Sequence, residues 1–266
     1  MVGHHPLEVG IKVRILSRQP TFKKLRTSYM QKKIIIAVVI LSFLSILVYS
    51  VKKQAKPNII RTDIAPTAEV NTAPNQNESL PLKYLLEVPF ATQAPLENWD
   101  KLHEEACEEA SIILVDYFWQ KKGITPELME KEIIGLTNWE QKNGYKEDLT
   151  VEELAKITQD KYGYKATVSY DVTENSIKKI IFAGKPLIVP LQGQDLGNPY
   201  YKQPGPPYHM LVITGYDKSE FITNDVGTKR GKGYRYPFST LLDAIHDWTG
   251  NKDTIRAGEK VMLVIE

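Results

Sequence analysis

A single cysteine, Cys107, stands in 266 residues, so the chain cannot close an internal disulfide. With no Cys-x-x-Cys pair it also lacks the thiolate-based zinc sets. His103 lies four residues before Cys107, but a zinc-protease helix needs a second histidine where the cysteine stands. No metal or other cofactor is expected. Lys and Arg form no run after residue 82, which argues against a nucleic-acid surface. No internal repeat is present, and charge-free apolar runs long enough to span a bilayer are confined to one stretch near the N-terminus.

The near-neutral net charge of +2 hides an asymmetry. Residues 1–82 carry 12 Lys and Arg against 4 Asp and Glu, whereas residues 83–266 carry 22 against 28. Residues 1–33 read as a basic tail, and 34–51 (IIIAVVILSFLSILVYSV) as a transmembrane helix of about the minimum spanning length. Eight basic residues precede that run and four follow it up to Arg61, so the N-terminus is expected in the cytoplasm and the rest outside the cell membrane. A cleaved signal peptide beginning at Met30 is the rival reading, but Val48-Tyr49-Ser50 is a poor cleavage site. Residues 52–82, with four prolines and no aromatic residue, read as a flexible tether. A folded domain is expected over 83–266.

Within that domain the periodicity predicts helices first and strands later. Helices are expected over Ala106–Trp119, Pro126–Leu136, Val151 to about Lys161, Glu174–Phe182 and Pro237–Trp248. Strands are expected over Lys165–Tyr170, Pro186–Gln192, Tyr208–Tyr216, Glu220–Asp225 and Lys260–Ile265. This order gives an α+β class, a helical first half packed on an antiparallel sheet.

Cys107 falls near the start of the first predicted helix, at the edge of its apolar face. The helix dipole and a histidine supplied from elsewhere can each favour a thiolate there; the alternative is a small buried hydrophobe. His4 and His5 lie in the tail, and His246 beside Asp247 in the late helix reads as structural. His209 opens a strand directly after the Gly- and Pro-rich loop 192–208, a place that faces a cleft, with Tyr200, Tyr201 and Tyr208 available for substrate contacts. If Thr214 pairs with Glu220 across a five-residue turn, His209 falls opposite Asp225, which can orient the imidazole. Gln93 is the nearest upstream side-chain amide for an oxyanion. Glu104, Glu105, Glu108 and Glu109 crowd the thiol, and such negative charge disfavours a thiolate unless His209 is charged.

Together Val88-Pro89-Phe90 with Gln93, Cys107-Glu108 with Ala110-Ser111, His209 with Gly215-Tyr216-Asp217, Asn224-Asp225 and Gly231-Lys232-Gly233-Tyr234 resemble the papain-like cysteine peptidases related to the bacteriocin-processing (double-glycine leader) peptidases. The likeness is to their standalone exported relatives. It implies a papain-like fold, with Cys107 as nucleophile, His209 as general base and acid, Asp225 as orienter and Gln93 as oxyanion donor. The expected substrate is a peptide or protein, or alternatively a cell-wall peptide, with any transporter a separate chain. A third reading keeps the domain as a non-catalytic peptide-binding module.

Overall fold

A computed structural model describes residues 79–266; the expected basic tail, the apolar run at 34–51 and almost all of the tether lie outside the described residues. Among the described residues no helix is long and apolar enough to cross a membrane. The chain forms β1 (Tyr84–Leu85), α1 (Lys101–Glu104), α2 (Cys107–Trp119), α3 (Pro126–Lys142), α4 (Val151–Ile157), β2 (Ala166–Ser169) and α5 (Glu174–Phe182). It continues with β3 (Leu187–Leu191), β4 (His209–Tyr216), β5 (Glu220–Asn224), β6 (Lys232–Pro237), α6 (Phe238–Ala244) and β7 (Met262–Ile265). The class is α+β, with an antiparallel sheet.

Helix α2 is the axis of the core. Its sequence predicts one buried face, yet Cys107 through Tyr117 are all buried. The helix is enclosed on both sides, by α3 and by β4, so even Glu108, Glu109 and Ser111 leave solvent. The Ala106 side chain offers its N-terminus no hydrogen bond, and tertiary packing holds the start in place. Helix α3 runs six residues past its predicted end at Leu136. The stripe Met129, Ile133, Leu136 and Glu140 carries its buried face onward, and Gly144, with φ +84°, follows the end.

Helix α4 starts as its sequence dictates. The Thr150 hydroxyl accepts from the Glu153 N–H at 3.2 Å while the Glu153 carboxylate accepts from the Thr150 N–H at 2.9 Å. The Val151 N–H, a further orphan donor, reaches Asp247 at 3.1 Å. Thr150→Ala is expected to cost about 1 kcal/mol and to lower the thermal midpoint by about 2–4 °C, read by calorimetry, with no change in the site's chemistry. The helix ends at Ile157 in a π turn over Thr158–Tyr162, closed by Gly163 at φ +76°.

Strand order is β2-β7-β3-β4-β5-β6, with β1 pairing β4 and every neighbour antiparallel. Pro190 has no N–H, and the β3–β7 pairing stops at Ile188; beyond it the Pro190 carbonyl accepts from His246 N–H at 3.2 Å and Leu191 bridges Ile245. This contact also corrects the late helix. It ends at Ala244, not Trp248, because the following backbone docks on β3 and on Glu259. His246 therefore lies beyond the helix, with Nδ1 2.9 Å from the Gly258 carbonyl. Strand β6 is absent from the expected strands: it is an edge strand interrupted by Gly233, and only Tyr236 in it is buried.

Candidate active site

The start of α2, the start of β4 and the turn that follows β5 line a cleft of about 920 Å³. Cys107, the first residue of α2, and His209, the first of β4, both line it, as does Gln93. The Met210 N–H donates to Cys107 Sγ at 3.3 Å, so the thiol is seated against the first turn of β4 beside His209. Trp99 and Tyr200, both about half exposed, lie along the cleft above it.

His209 and Asp225 are in contact, with Nε2 2.9 Å from Oδ1 and both side chains buried. The expected register was wrong, although the contact was anticipated. Tyr216 pairs with Phe221, and a bulge at Thr214 then shifts the ladder so that Val212 faces Asn224. Continuing that ladder brings Asp225 level with Leu211, two residues from His209 on the same face. The pair meets along the diagonal, which long side chains bridge.

What surrounds Asp225 has no counterpart among the expected site residues. Its Oδ2 accepts from the hydroxyls of Tyr201 and Tyr236, each at 2.6 Å, and from Asn198 Nδ2 at 3.1 Å; Oδ1 also accepts from the Gly227 N–H at 3.1 Å. Burial acts to raise this carboxyl, but the His209 charge and these donors outweigh it and hold it below its ordinary value. Tyr201, read as available for substrate contacts, lines the cleft but commits its hydroxyl to Asp225, and its ring packs edge-on to His209 with centroids 5.5 Å apart. Tyr208 is likewise buried, its hydroxyl donating to the Leu149 carbonyl at 2.8 Å; of the three tyrosines only Tyr200 is exposed in the cleft. A Cβ at Gly227 would come within 2.9 Å of the His209 ring, so that residue's smallness lets the turn close over the imidazole.

Gln93 is buried and lines the same cleft as the thiol. Its N–H2 group donates to the carbonyls of His103, at 2.8 Å, and Glu104, at 3.2 Å, while its Oε1 has no partner among the described residues. The Gln93 N–H donates to Val226 at 2.9 Å, tying this segment to the turn after Asp225. The Cys107 N–H, at the first position of α2, has no intrahelical acceptor.

The four glutamates separate into different roles. Glu105 pairs with Lys252 at 2.7 Å and Glu104 is exposed. Glu109 turns away toward Glu140 of α3, where burial raises both carboxyls, Glu140 to about 7. Glu108 points at the thiol: its Oε2 lies 2.9 Å from Cys107 Sγ, and its Oε1 accepts from the Leu149 N–H at 3.2 Å. Burial, and then the charge of Glu108, push the thiol well above its ordinary value. His103 is buried between Asp100, at 2.8 Å, and Glu130, at 2.9 Å, where it clamps α1 to α3. Among the described residues no group of three or more His, Cys, Asp or Glu is arranged to hold a metal ion.

Residues 85–254 match the Peptidase_C39 like family. A crystal structure from Bacillus anthracis described as a C39-like peptidase aligns over 69% of this chain and 97% of its own, at 12% identity and a TM-score of 0.45. No curated protein matches the sequence. With nearly two thirds of its length matched, spanning Gln93, Cys107, His209 and Asp225, the chain belongs to the Peptidase_C39 like family.

Proposed function

We propose that this chain is a cysteine peptidase that hydrolyses peptide bonds through Cys107, His209 and Asp225, by way of a thioester on Cys107. The observation that carries the reading is the meeting of a buried His209–Asp225 pair with a thiol seated on the next residue of the same strand, at the floor of one cleft. With Nε2 held by Asp225, Nδ1 is the nitrogen left to receive the thiol proton. The thiolate attacks the scissile carbonyl carbon and the carbonyl π pair moves to oxygen. The Cys107 N–H, together with Gln93 once its amide leaves the Glu104 carbonyl, stabilises that oxyanion. The imidazolium then protonates the leaving amine as the C–N bond breaks, and water, deprotonated by His209, releases the acid from the thioester.

In this reading the enzyme is a standalone relative of the bacteriocin-processing peptidases. It is anchored through the apolar run 34–51 and acts outside the cytoplasmic membrane on a peptide or protein, with any transporter a separate chain. A cell-wall peptide suits the same chemistry. The hydrogen bond from the thiol to Glu108 favours a second reading, a peptide-binding module with an inert thiol.

The deciding measurement is the rate of Cys107 alkylation by iodoacetamide against pH in the full-length chain, with and without His209→Ala. The expected rate stays high well below the free-thiol pKa of about 8.5 and collapses in the variant. A rate that rises only at alkaline pH, unchanged by the substitution, establishes the inert-thiol reading instead.

A further inference from the structure

Cys107 and Glu108 are both buried, and the contact between Sγ and Oε2 at 2.9 Å holds one hydrogen. No cation answers Glu108 among the described residues. Lys252 is engaged by Glu105 and Asp148, and Lys101 by Glu147. The titratable groups that face Glu108 are Cys107 and Glu109 on its own helix, Glu140 from α3, and Tyr208 from the loop before β4; His209 stands across the thiol. None of these except His209 can bring positive charge. Among the described residues the other partner of its side chain is the Leu149 N–H. An ionised carboxylate is badly placed here, buried against two further carboxyls.

The contact has two chemical forms. With a neutral thiol, the S–H donates to a carboxylate. With a thiolate, the contact survives only if the hydrogen sits on Oε2, because two anions 2.9 Å apart without a proton between them repel. We propose that Glu108 is a further catalytic residue that works in its protonated form, its O–H donating to the Cys107 thiolate alongside the Met210 N–H. This inference rests on the peptidase reading above. Proton bookkeeping closes without an outside reagent. The thiol proton passes to His209, and Glu108 keeps its own proton throughout. The S–C bond forms with the sulfur lone pair, and the sulfur that leaves the thioester on deacylation meets the same O–H.

The acidic surroundings thus change meaning. The charge that pushes the thiol up is the charge that burial removes from Glu108, whose carboxyl is itself raised well above its ordinary value, first by burial and then by Glu109. Whatever charge Glu109 carries acts in the same direction, holding the proton on Glu108. The thiolate exists while Glu108 is protonated and is suppressed once it ionises.

The test compares the full-length wild type, Glu108→Gln and Glu108→Ala by iodoacetamide alkylation against pH, with thermal melts to show that each is folded. The wild type is expected to show a plateau near neutrality and a decline toward alkaline pH before the ordinary rise of a free thiol. Glu108→Gln should keep the plateau and lose the decline, because its amide N–H donates to sulfur, its oxygen still accepts from Leu149, and it has no proton to give up. Glu108→Ala should lose the plateau by roughly tenfold to a hundredfold, the range set by one hydrogen bond to a charged group. A folded Glu108→Gln that loses the plateau as alanine does overturns the proposal, and so does an alanine variant that keeps it. If the wild type follows free-thiol titration whatever stands at 209, the peptidase reading has failed first, and this inference with it.

Discussion

Asp225→Ala should lower kcat/KM for peptide hydrolysis by roughly a thousand- to ten-thousand-fold, the scale found where the group orienting a catalytic histidine is lost. The physical basis is the number of donors aimed at one carboxylate. His209 Nε2, the Gly227 N–H, Asn198 Nδ2 and the hydroxyls of Tyr201 and Tyr236 converge on it, and all the side chains are buried. Alanine leaves every one of them without its acceptor, so the cost to stability should reach roughly 3–5 kcal/mol, the range for breaking a buried charged pair by removing one partner.

Asp225→Asn separates orientation from charge. Its Oδ1 can still accept from His209, but its N–H2 must replace an acceptor for Asn198 and two tyrosines. Kinetics on the folded fraction should therefore show asparagine down by up to about ten-thousand-fold, because an amide can hold the imidazole in the wrong tautomer even where the geometry survives. Equal kcat/KM in Asp225→Ala and wild type rules out a role for the carboxylate in orienting His209. The acid side of the stability profile should change as well. Because the Asp225 carboxyl is held below its ordinary value, its contribution is complete above a pH of about 4 and is lost as the pH falls through its lowered value. Asp225→Ala should lack that part of the acid dependence.

The site was legible in sequence where chemistry and pattern coincide. Cys107 was marked by being alone and by opening a helical period, His209 by opening a strand at the end of a long loop. The His209–Asp225 contact was reached through a wrong register, since a one-residue bulge at Thr214 leaves no trace in an apolar strand. A diagonal contact tolerated the error. Asn198, Tyr201 and Tyr236 were beyond sequence reasoning, because two lie in a loop whose side-chain directions follow no period and the third in an edge strand too exposed to show alternation. The glutamates were seen as charge near the thiol. Which of them is buried, which pairs with Lys252 and which meets Sγ depends on how α3 and the segment around Leu149 pack over α2.

Gly231→Ala should damage the same centre from behind. The Gly231 carbonyl accepts from the Asp225 N–H at 3.0 Å, and the Gly231 N–H donates to Thr228 at 3.0 Å, closing the turn that follows β5. A Cβ at Gly231 would overlap the Asp225 carbonyl oxygen and stand 2.7 Å from the carbonyl carbon, both backbone atoms that no rotamer change can move. The backbone of Asp225 must give way, and its carboxylate moves with it. The expected cost is about 3 kcal/mol or more of stability, at or beyond the upper end for overpacking, and a kcat about a hundredfold lower, as for a displacement near 1 Å at a catalytic group. Gly233→Ala is the control. Gly233 has φ +63° with nothing within 4 Å of a Cβ, so alanine there meets only backbone strain of about 1 kcal/mol and should leave kcat unchanged. Urea unfolding and kcat on both variants separate the two effects. A folded Gly231→Ala enzyme with wild-type kcat shows that the turn does not set the position of Asp225, whereas loss confined to Gly231 ties a residue with no side chain to the placement of the histidine.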